Sequence, residues 1–492
     1  MDDKMLFKSK GTSEKRHRLI ILTDMENEPD DSQTMVKLLM YSNELDIEGL
    51  IAVTSRWLPK LVFPESITDR VTAYGIVRKN LIKHATGWPT EEYLHSRVAG
   101  GQRGYGMAAV GDGKATEGSE LIIRAADIDD PRPIWVAINA GANTLAQALW
   151  DVRRTRTPEQ TAQFVQKIKV YDDSGQDDAG AWIAHEFPDL FYIRSRSQVF
   201  GLFGPKENTG PQPWEPLDQY DWAELNVRTR HGVLGALYPQ RVAKDGHFYF
   251  MDGGGTTTWL GLVNKGLFEP DQISWGGWGG RFSWNKEQVP AGQFEVDQQE
   301  SPYFPYLMYP QAKDDSFEWK DDGQLEEFSK MIGETENAWK IFAPLWRWRN
   351  AYTRDFKARM DWCVSDYLHA NHHPVINFYG DENRSIIFLS VEPGERVRLD
   401  ASASWDPDDK IRYHTEWGFP EPPERLSFNW YCYPEAGTYA GVVTIESSRE
   451  SICHVNVPSD AGGKQIHIIL EVTDSDSDAP LTSYRRIVMN VE

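Results

Sequence analysis

The sequence predicts an α/β domain, with an open, mostly parallel sheet carrying helices on both faces, followed by a small all-β sandwich domain. Short apolar runs alternate with helix-length periodic segments through residues 18–370, which is the pattern of repeated βα units. Residues 371–492 instead carry short alternating strands separated by turns, as in β-sandwiches. Pro374 marks the junction, because proline bars a helix from continuing. Residues 1–17 are predicted to be a disordered N-terminal segment.

Composition excludes some classes of partner. The 492-residue chain has 52 Lys and Arg against 74 Asp and Glu, a formal net charge of −22. This charge repels phosphate backbones and anionic lipid surfaces, so we expect no nucleic acid and no membrane partner. The N-terminus lacks the apolar core of a signal peptide. We therefore expect a cytoplasmic protein, although a secreted protein whose leader had been removed would look the same.

The first strand leads into an acidic turn. Residues 19–22 are an apolar run, and residues 35–40 carry apolar side chains at helical spacing. Between them lie five carboxylates: Asp24, Glu26, Glu28, Asp30 and Asp31. These charges repel one another, and a hard divalent cation, calcium before magnesium, would offset them. The alternative is a solvated loop in which Asp30 or Asp31 caps the helix.

The next elements bring further polar residues to the same side. Residues 46–54 are predicted to form a second strand, followed by a loop that includes Trp57. A right-handed βαβ connection places the carboxyl ends of both strands on the same side of the sheet, so we expect this loop and the acidic turn to face one crevice. Residues 64–80 read as a helix. Residues 94–118 are glycine-rich, so this segment, with Gln102 near its middle, is a candidate lid or binding loop.

Two later strands are each followed by a turn that carries candidate ligand-binding side chains. Residues 133–139 precede Asn143, which either contacts a sugar or caps the helix that begins there. Residues 168–171 precede a second acidic turn, where Asp177 and Asp178 either bind hydroxyl groups or are solvated surface residues.

The last part of the α/β domain is rich in glycine and tryptophan. A strand over residues 247–251 runs into Asp252, and residues 276–282 form a glycine-dense turn that includes Trp278. Trp278 either stacks against a sugar or packs in the core. A helical segment between residues 327 and 366 closes the domain.

The acidic turn carries a resemblance. A strand that ends in an Asp-rich turn closed by Asp30 and Asp31 resembles the calcium-binding signature of the nucleoside hydrolases. The longer form over residues 23–31 is similar to a divergent branch of that family, often labelled cellulose-binding, with a small β domain at the C-terminus. Residues 399–409 and 426–430 resemble polycystic-kidney-disease and related immunoglobulin-like modules.

The resemblance implies a hydrolase of a glycosidic bond, in a sugar glycoside or an N-riboside, that uses a calcium-bound water. By this likeness Asp24 is the base and a calcium ligand, and Asp30 is the catalytic residue that orients the sugar. Asp31 is a further metal ligand by the same likeness. Gly255 stands where this branch has an Asp, so either Asp252, three residues earlier, supplies the last metal ligand or this chain has lost it. The expected substrate-binding residues are Asn27, Trp57, Gln102, Asn143, Asp177, Asp178 and Trp278.

The alternative is a carbohydrate-binding protein that keeps the fold without the chemistry. In both cases the expected partner is a sugar glycoside or an oligosaccharide. Nucleoside hydrolases commonly form dimers or tetramers, so a homodimer is also an expectation, although the additional domain could block those interfaces.

Overall fold

The computed structural model describes residues 8–9, 16–195, 198, 222–242, 248–249, 253–267, 269–289, 302–303, 305–317, 338–409, 425–475 and 479–492.

A parallel sheet organises the first domain. The first strand of the chain, β1 (Lys8–Ser9), belongs to a sheet of the second domain. The described strands of the parallel sheet are β2 (His17–Thr23), β3 (Leu45–Ala52), β4 (Val98–Gly100), β5 (Ile134–Ile138), β6 (Ile168–Asp173) and β7 (Phe191–Ser195). The order is β4-β3-β2-β5-β6-β7, and every neighbouring pair is parallel. Residues 19–22 of the central β2 are fully buried, as expected for a strand covered on both faces.

Helices cover both faces of this sheet, as predicted. The described helices are α1 (Pro29–Met40), α2 (Pro64–His84), α3 (Glu91–His95), α4 (Glu117–Asp127), α5 (Asn143–Thr155), α6 (Pro158–Gln166), α7 (Ala179–Glu186), α8 (Gly232–Ala236), α9 (Thr257–Leu260), α10 (Ala343–Trp346) and α11 (Arg349–Asp361). Leu19 and Ile21 of β2 join one buried cluster with α1, α2 and α11. Ile20 and Leu22 join another with α4, α5 and α7.

Short elements connect these layers. Among the described residues, 3₁₀ turns lie at Gly106–Ala109, Gly254–Thr256, Ala338–Ile341, Tyr367–His369 and Pro434–Ala436, and a π turn lies at Glu224–Arg228. Two short antiparallel strand pairs are also present: β8 (Arg241–Val242) with β9 (Phe248–Tyr249), and β10 (Glu287–Gln288) with β11 (Leu307–Met308). The helical segment predicted between 327 and 366 is interrupted, since α10 and α11 are separate helices and residues 318–337 lie outside the described residues.

The second domain is the predicted β-sandwich. Its strands are β12 (Ile387–Val391), β13 (Arg396–Asp400), β14 (Ser427–Cys432), β15 (Thr444–Glu446), β16 (Ile452–Asn456), β17 (Gln465–Thr473) and β18 (Thr482–Val491). One sheet has the order β1-β12-β18-β17-β14 and the other β13-β16-β15, around a core that includes Leu399, Trp430 and Ile468. Within the N-terminal segment predicted to be disordered, Lys8–Ser9 pairs with β12, and β2 already begins at His17.

The two domains share a buried core. Tyr433, Ile469 and Tyr484 of the sandwich lie in the same cluster as Trp346 and Trp348 of the first domain. The fully buried Arg486 guanidinium crosses the junction and donates to the carbonyls of Leu267 (2.6 Å) and Gly276 (2.9 Å). The sandwich is therefore docked against the α/β domain rather than tethered to it.

No described helix is both long enough and apolar enough to span a bilayer.

Candidate active site

The candidate site lies at the carboxyl edge of the parallel sheet. Adjacent parallel strands in the order β3-β2-β5-β6 place the turns that follow them at one edge, which is where open α/β sheets bind ligands. The acidic turn follows β2 and leads into α1, whose first turn contains Pro29, Asp30 and Asp31. Glu28 is the N-cap residue, so neither Asp30 nor Asp31 caps this helix.

Asp24 and Asp31, here called the acid pair, are buried together at the end of β2. They are only 2% and 5% exposed, and their carboxyl groups hydrogen bond to each other. The Thr23 hydroxyl donates to Asp31 Oδ1, and Ser55 Oγ donates to Asp24 Oδ2 at 2.5 Å. The surrounding elements therefore hold two carboxyl groups in contact away from water.

Burial is the main cause that raises the pKa of both groups. The pKa of Asp31 lies well above its usual range, because burial is reinforced by the charges of Asp24 and Asp30. Burial likewise raises the pKa of Asp24, and its hydrogen bonds with Asp31 and Ser55 oppose part of this effect. The pKa of both carboxyl groups of the acid pair is therefore raised above the usual value of an Asp side chain.

The rest of the acidic turn is fixed from two sides. The Asn27 amide donates to Asp24 Oδ2 at 3.2 Å. Glu26 has a positive φ of 71°, a conformation uncommon for residues other than glycine. Its carboxylate accepts a hydrogen bond from Ser66 and lies 3.6 Å from Arg70, both on α2. Helix α2 therefore stabilises the backbone that presents the acid pair.

Asp30 and Asp173, here called the outer carboxylates, face a common point beside the acidic turn. A Cβ added at Gly254 would lie 3.3 Å from Asp30 Oδ2 and 3.9 Å from Asp173 Oδ2. Asp173 is the last residue of β6 and is 7% exposed. Asp173 is not among the residues predicted from the sequence to form the site, although its position at the end of a strand could have indicated it.

Gly255 lies against a buried side chain. A Cβ at this position would be 2.3 Å from both Cγ and Nδ2 of Asn139, which follows β5. The Asn139 amide oxygen accepts a hydrogen bond from Thr258 at 2.8 Å. A side chain at position 255 would therefore collide with Asn139, which gives a physical reason for glycine where the resembling branch has an Asp.

Comparison with known proteins identifies the family. A family model described as the nucleoside hydrolase-like domain of cellulose-binding Sde182 matches residues 18–282. A second, described as the C-terminal domain of cellulose-binding protein Sde0182, matches residues 396–491. A solved structure from Saccharophagus degradans, described as a nucleoside hydrolase-related hypothetical protein associated with carbohydrate metabolism, is 38% identical. It covers 97% of this chain and 100% of its own, with a TM-score of 0.78. This chain belongs to the nucleoside hydrolase-like, cellulose-binding family.

The family assignment confirms the resemblance and the fold predicted from the sequence. Two further solved structures are too distant to inform this assignment. An endo-β-1,4-mannanase from Thermotoga petrophila covers 98% of this chain and 99% of its own, at 9% identity and a TM-score of 0.18. An endo-fucoidan hydrolase of glycoside hydrolase family 107 covers 97% and 80%, at 12% identity and a TM-score of 0.15. No curated protein matches the chain.

Several of the predicted substrate-binding residues make hydrogen bonds within the protein. Asp177 is 1% exposed and accepts from the backbone N–H groups of Ala142 (3.1 Å), Asn143 (3.2 Å) and Ala179 (3.0 Å). Burial raises the pKa of Asp177 to about 7 despite these bonds. Asp178 accepts from the N–H of Met107 at 2.8 Å. A role for Asp177 or Asp178 in sugar binding stays a prediction.

Asn143 and Gln102 hold the glycine-rich loop. Asn143 is the first residue of α5, and its amide donates to Thr54 Oγ1 (3.1 Å) and to the carbonyl of Gly104 (2.7 Å). The Gln102 amide donates to two carbonyls of the same loop, and its oxygen accepts from Thr116. Neither side chain caps a helix, and sugar contact by either one stays a prediction.

The two predicted tryptophans have opposite environments. Trp57 is 55% exposed beside the crevice, whereas Trp278 is 1% exposed. The Trp278 ring packs edge-on against Tyr352 and Tyr484 in the shared core. Of the two, Trp57 is the one that offers an open aromatic face in this structure.

The predicted metal ligands are only partly described. Asp24 and Asp31 are in contact, while Asp252 lies outside the described residues. Within the described ranges, no group of three or more His, Cys, Asp or Glu side chains is placed to hold a metal ion. The acid pair alone therefore represents the predicted metal site in the described structure.

Proposed function

We propose that the protein hydrolyses a glycosidic bond in a carbohydrate at the carboxyl edge of its parallel sheet. The observation that carries this proposal is the acid pair, two buried carboxyl groups in hydrogen-bond contact at the end of the central strand. Burying like-charged groups together is costly, and perturbed carboxyl groups in a crevice are typical of catalytic sites. A scaffold with only a structural role has little reason to retain them.

The acid pair supplies the base that hydrolysis needs. The ionised Asp24 accepts a proton from water as the water oxygen bonds to the anomeric carbon. The bond from that carbon to the leaving group breaks, and the leaving group takes a proton from solvent water. Ser55 and Asn27 orient the Asp24 carboxylate by hydrogen bonds, and Asp31 lies in contact with it. Asp24 is therefore the proposed base.

The outer carboxylates are suited to hold the sugar. Carboxylates accept hydrogen bonds from adjacent sugar hydroxyl groups, and Asp30 and Asp173 face the same point near Gly254. Their charge also favours the positive character that develops at the anomeric carbon. We assign both residues to substrate orientation.

Calcium is proposed as a resident ion of this site. The carboxylate oxygens of the acid pair are the hard donors that calcium prefers, and a cation would relieve their mutual repulsion. Asp24 and Asp31 would hold it, with Asp252 as the further predicted ligand. When bound, calcium would lower the pKa of a coordinated water.

A second candidate function is carbohydrate binding without hydrolysis. The two family models are both described as cellulose-binding, and the exposed Trp57 beside the crevice suits a sugar ring. This candidate predicts sugar binding with no released product.

A substrate panel separates the two candidates. Sugar release from cello-oligosaccharides, aryl glycosides and nucleosides would be measured with calcium and with a chelator, in the wild type and in Asp31→Ala. Release that requires Asp31 supports hydrolysis, and its loss with the chelator supports calcium. Measurable binding with no release from any substrate would leave the binding function.

A further inference from the structure

The loop after β3 presents an aromatic side chain beside the acid pair. This loop, residues 54–58, is here called the Trp57 loop. Its Trp57 is 55% exposed although Thr54 and Ser55 are fully buried. An exposed tryptophan on an otherwise anchored loop is a recognised means of ligand contact.

Ser55 couples the position of Trp57 to the acid pair. Its hydroxyl donates to Asp24 Oδ2 at 2.5 Å and accepts from the backbone N–H groups of Trp57 (3.1 Å) and Leu58 (3.0 Å). The Trp57 amide thus lies two hydrogen bonds away from the Asp24 carboxylate. The backbone that carries the Trp57 side chain therefore lies close to Asp24, the proposed base.

Other contacts hold the Trp57 loop to neighbouring strands. The N–H of Arg56 donates to the carbonyl of Gln176 at 3.0 Å, and the carbonyl of Thr54 accepts from the N–H of Gly141 at 3.0 Å. These bonds join the loop to the turns after β6 and β5. Its backbone is therefore fixed relative to three sides of the crevice, which favours a defined subsite.

One face of the Trp57 ring is already covered. The Arg56 guanidinium lies 5.0 Å from the centre of the indole, within the range of a cation–π contact. Because the side chain is still more than half exposed, the opposite face is available for stacking.

We propose that Trp57 forms the stacking platform for the sugar unit next to the bond that is cleaved. The substrate class is then an oligosaccharide, or a glycoside with a second sugar ring, rather than a free nucleoside. This inference rests on the proposed function, and it extends it by placing a neighbouring subsite on the β3 side of the acid pair.

Calorimetric binding of glucose, cellobiose, cellotriose, cellotetraose and uridine tests the platform. The variants would be Trp57→Ala, Trp57→Phe and the matched control Trp284→Ala. Trp284 is also exposed, at 42%, but contacts Phe191 at the start of β7, far from the carboxyl edge. We expect Trp57→Ala to weaken binding of the longer oligosaccharides by about tenfold, Trp57→Phe to retain most of the affinity, and Trp284→Ala to match the wild type.

Three results would overturn the platform: unchanged oligosaccharide affinity in Trp57→Ala, no binding of any oligosaccharide by the wild type, or tighter binding of uridine than of every oligosaccharide. The sugar-release assay keeps this inference separate from the proposed function. Trp57-dependent binding without release would retain the platform and reject hydrolysis. Asp31-dependent release that is insensitive to Trp57→Ala, with unchanged affinity, would reject the platform alone.

Discussion

At the residue scale, the fold tolerates carboxyl groups in unfavourable surroundings at more than one place. Asp406 of the sandwich is 1% exposed, and its Oδ2 has no hydrogen-bond partner in the described structure. Burial, together with the charges of Asp408, Asp474 and Asp409, raises the pKa of Asp406 to about 7. Since Asp406 is remote from the acid pair, its effect on stability can be measured independently of activity.

Asp406 is expected to make stability depend on pH. A carboxyl group whose pKa is raised on folding stabilises the protein below its unfolded value, near 4, and this contribution is lost as the pH rises through about 7. In Asp406→Asn the amide removes the charge and keeps an acceptor for the N–H of Asp408. We predict that it raises the free energy of unfolding at pH 8 by roughly 1–3 kcal/mol, with little change at pH 4.

Chemical denaturation of both proteins between pH 4 and pH 8, with a chelator present, provides the measurement. A wild type and an Asp406→Asn variant with parallel pH profiles would contradict the assignment.

Gly255 provides a second prediction at the scale of single residues. The space for a Cβ is taken by Asn139, which lies 2.3 Å from that point. Gly255→Ala is therefore expected to destabilise the protein by about 1–3 kcal/mol. In a double-mutant cycle, Asn139→Ala should recover at least about 1 kcal/mol of this loss. Additive effects of the two changes would show that Asn139 does not restrict position 255.

At the scale of elements, the site depends on how loops are tied to strand ends. Asp178, at the N-cap of α7, holds the glycine-rich loop through the N–H of Met107. Gly106 passes so close that a Cβ there would lie 2.2 Å from Asp178 Oδ1. The second acidic turn thereby fixes the conformation of a candidate lid.

Removing this contact is expected to loosen the loop. Asp178→Ala deletes the acceptor for Met107, and a net hydrogen bond is worth about 0.5–1.5 kcal/mol. We predict faster hydrogen exchange in residues 101–113 of Asp178→Ala, whereas Asp178→Asn, which keeps Oδ1, should exchange like the wild type. Equal protection of the loop in all three proteins would exclude this role.

The elements themselves were largely predictable from the sequence. Four consecutive apolar residues before the acidic turn, and helical spacing after it, predicted β2 and α1 because both signals depend on local periodicity. Parallel topology then placed the strand-end turns at one edge, and the structure agrees.

The direction of individual side chains within the turns was less predictable. Ser174 adopts a positive φ of 67°, a local change of chain direction that side-chain periodicity does not indicate. Asp177 and Asp178 of this turn stay predicted substrate contacts, while Asp173, for which the sequence gives no prediction, lies close to Asp30 beside Gly254. Trp278 was ambiguous because a tryptophan beside glycines has the same sequence pattern in a core and in a sugar site.

At the scale of the whole molecule, the sandwich completes the core of the α/β domain. Tyr433 is fully buried, and its hydroxyl donates to Asp314 of the first domain at 2.7 Å. The Arg347 guanidinium lies 4.1 Å from the centre of the Tyr433 ring. Separating the domains would expose these groups and the apolar cluster around Trp348. The two domains should therefore behave as one thermodynamic unit.

Calorimetry of the full chain should show a single cooperative unfolding transition. Tyr433→Ala is expected to lower the stability of the whole molecule by about 3–5 kcal/mol while keeping one transition. Tyr379→Ala is a suitable control, since that side chain of the same domain is 38% exposed. Two separate transitions in the wild type, with only one of them shifted by Tyr433→Ala, would show that the domains unfold independently.

The proposed function depends most on Asp24 as the base of a hydrolytic site. The most direct measurement compares sugar release and sugar affinity in the wild type, in Asp24→Asn and in the control Asp127→Asn, whose carboxylate pairs with Arg156 away from the crevice. We expect release by the wild type and the control, and release slower by about 100-fold or more in Asp24→Asn with sugar affinity largely retained. Equal release by Asp24→Asn and the wild type, or no release of any bound saccharide by the wild type, would contradict it.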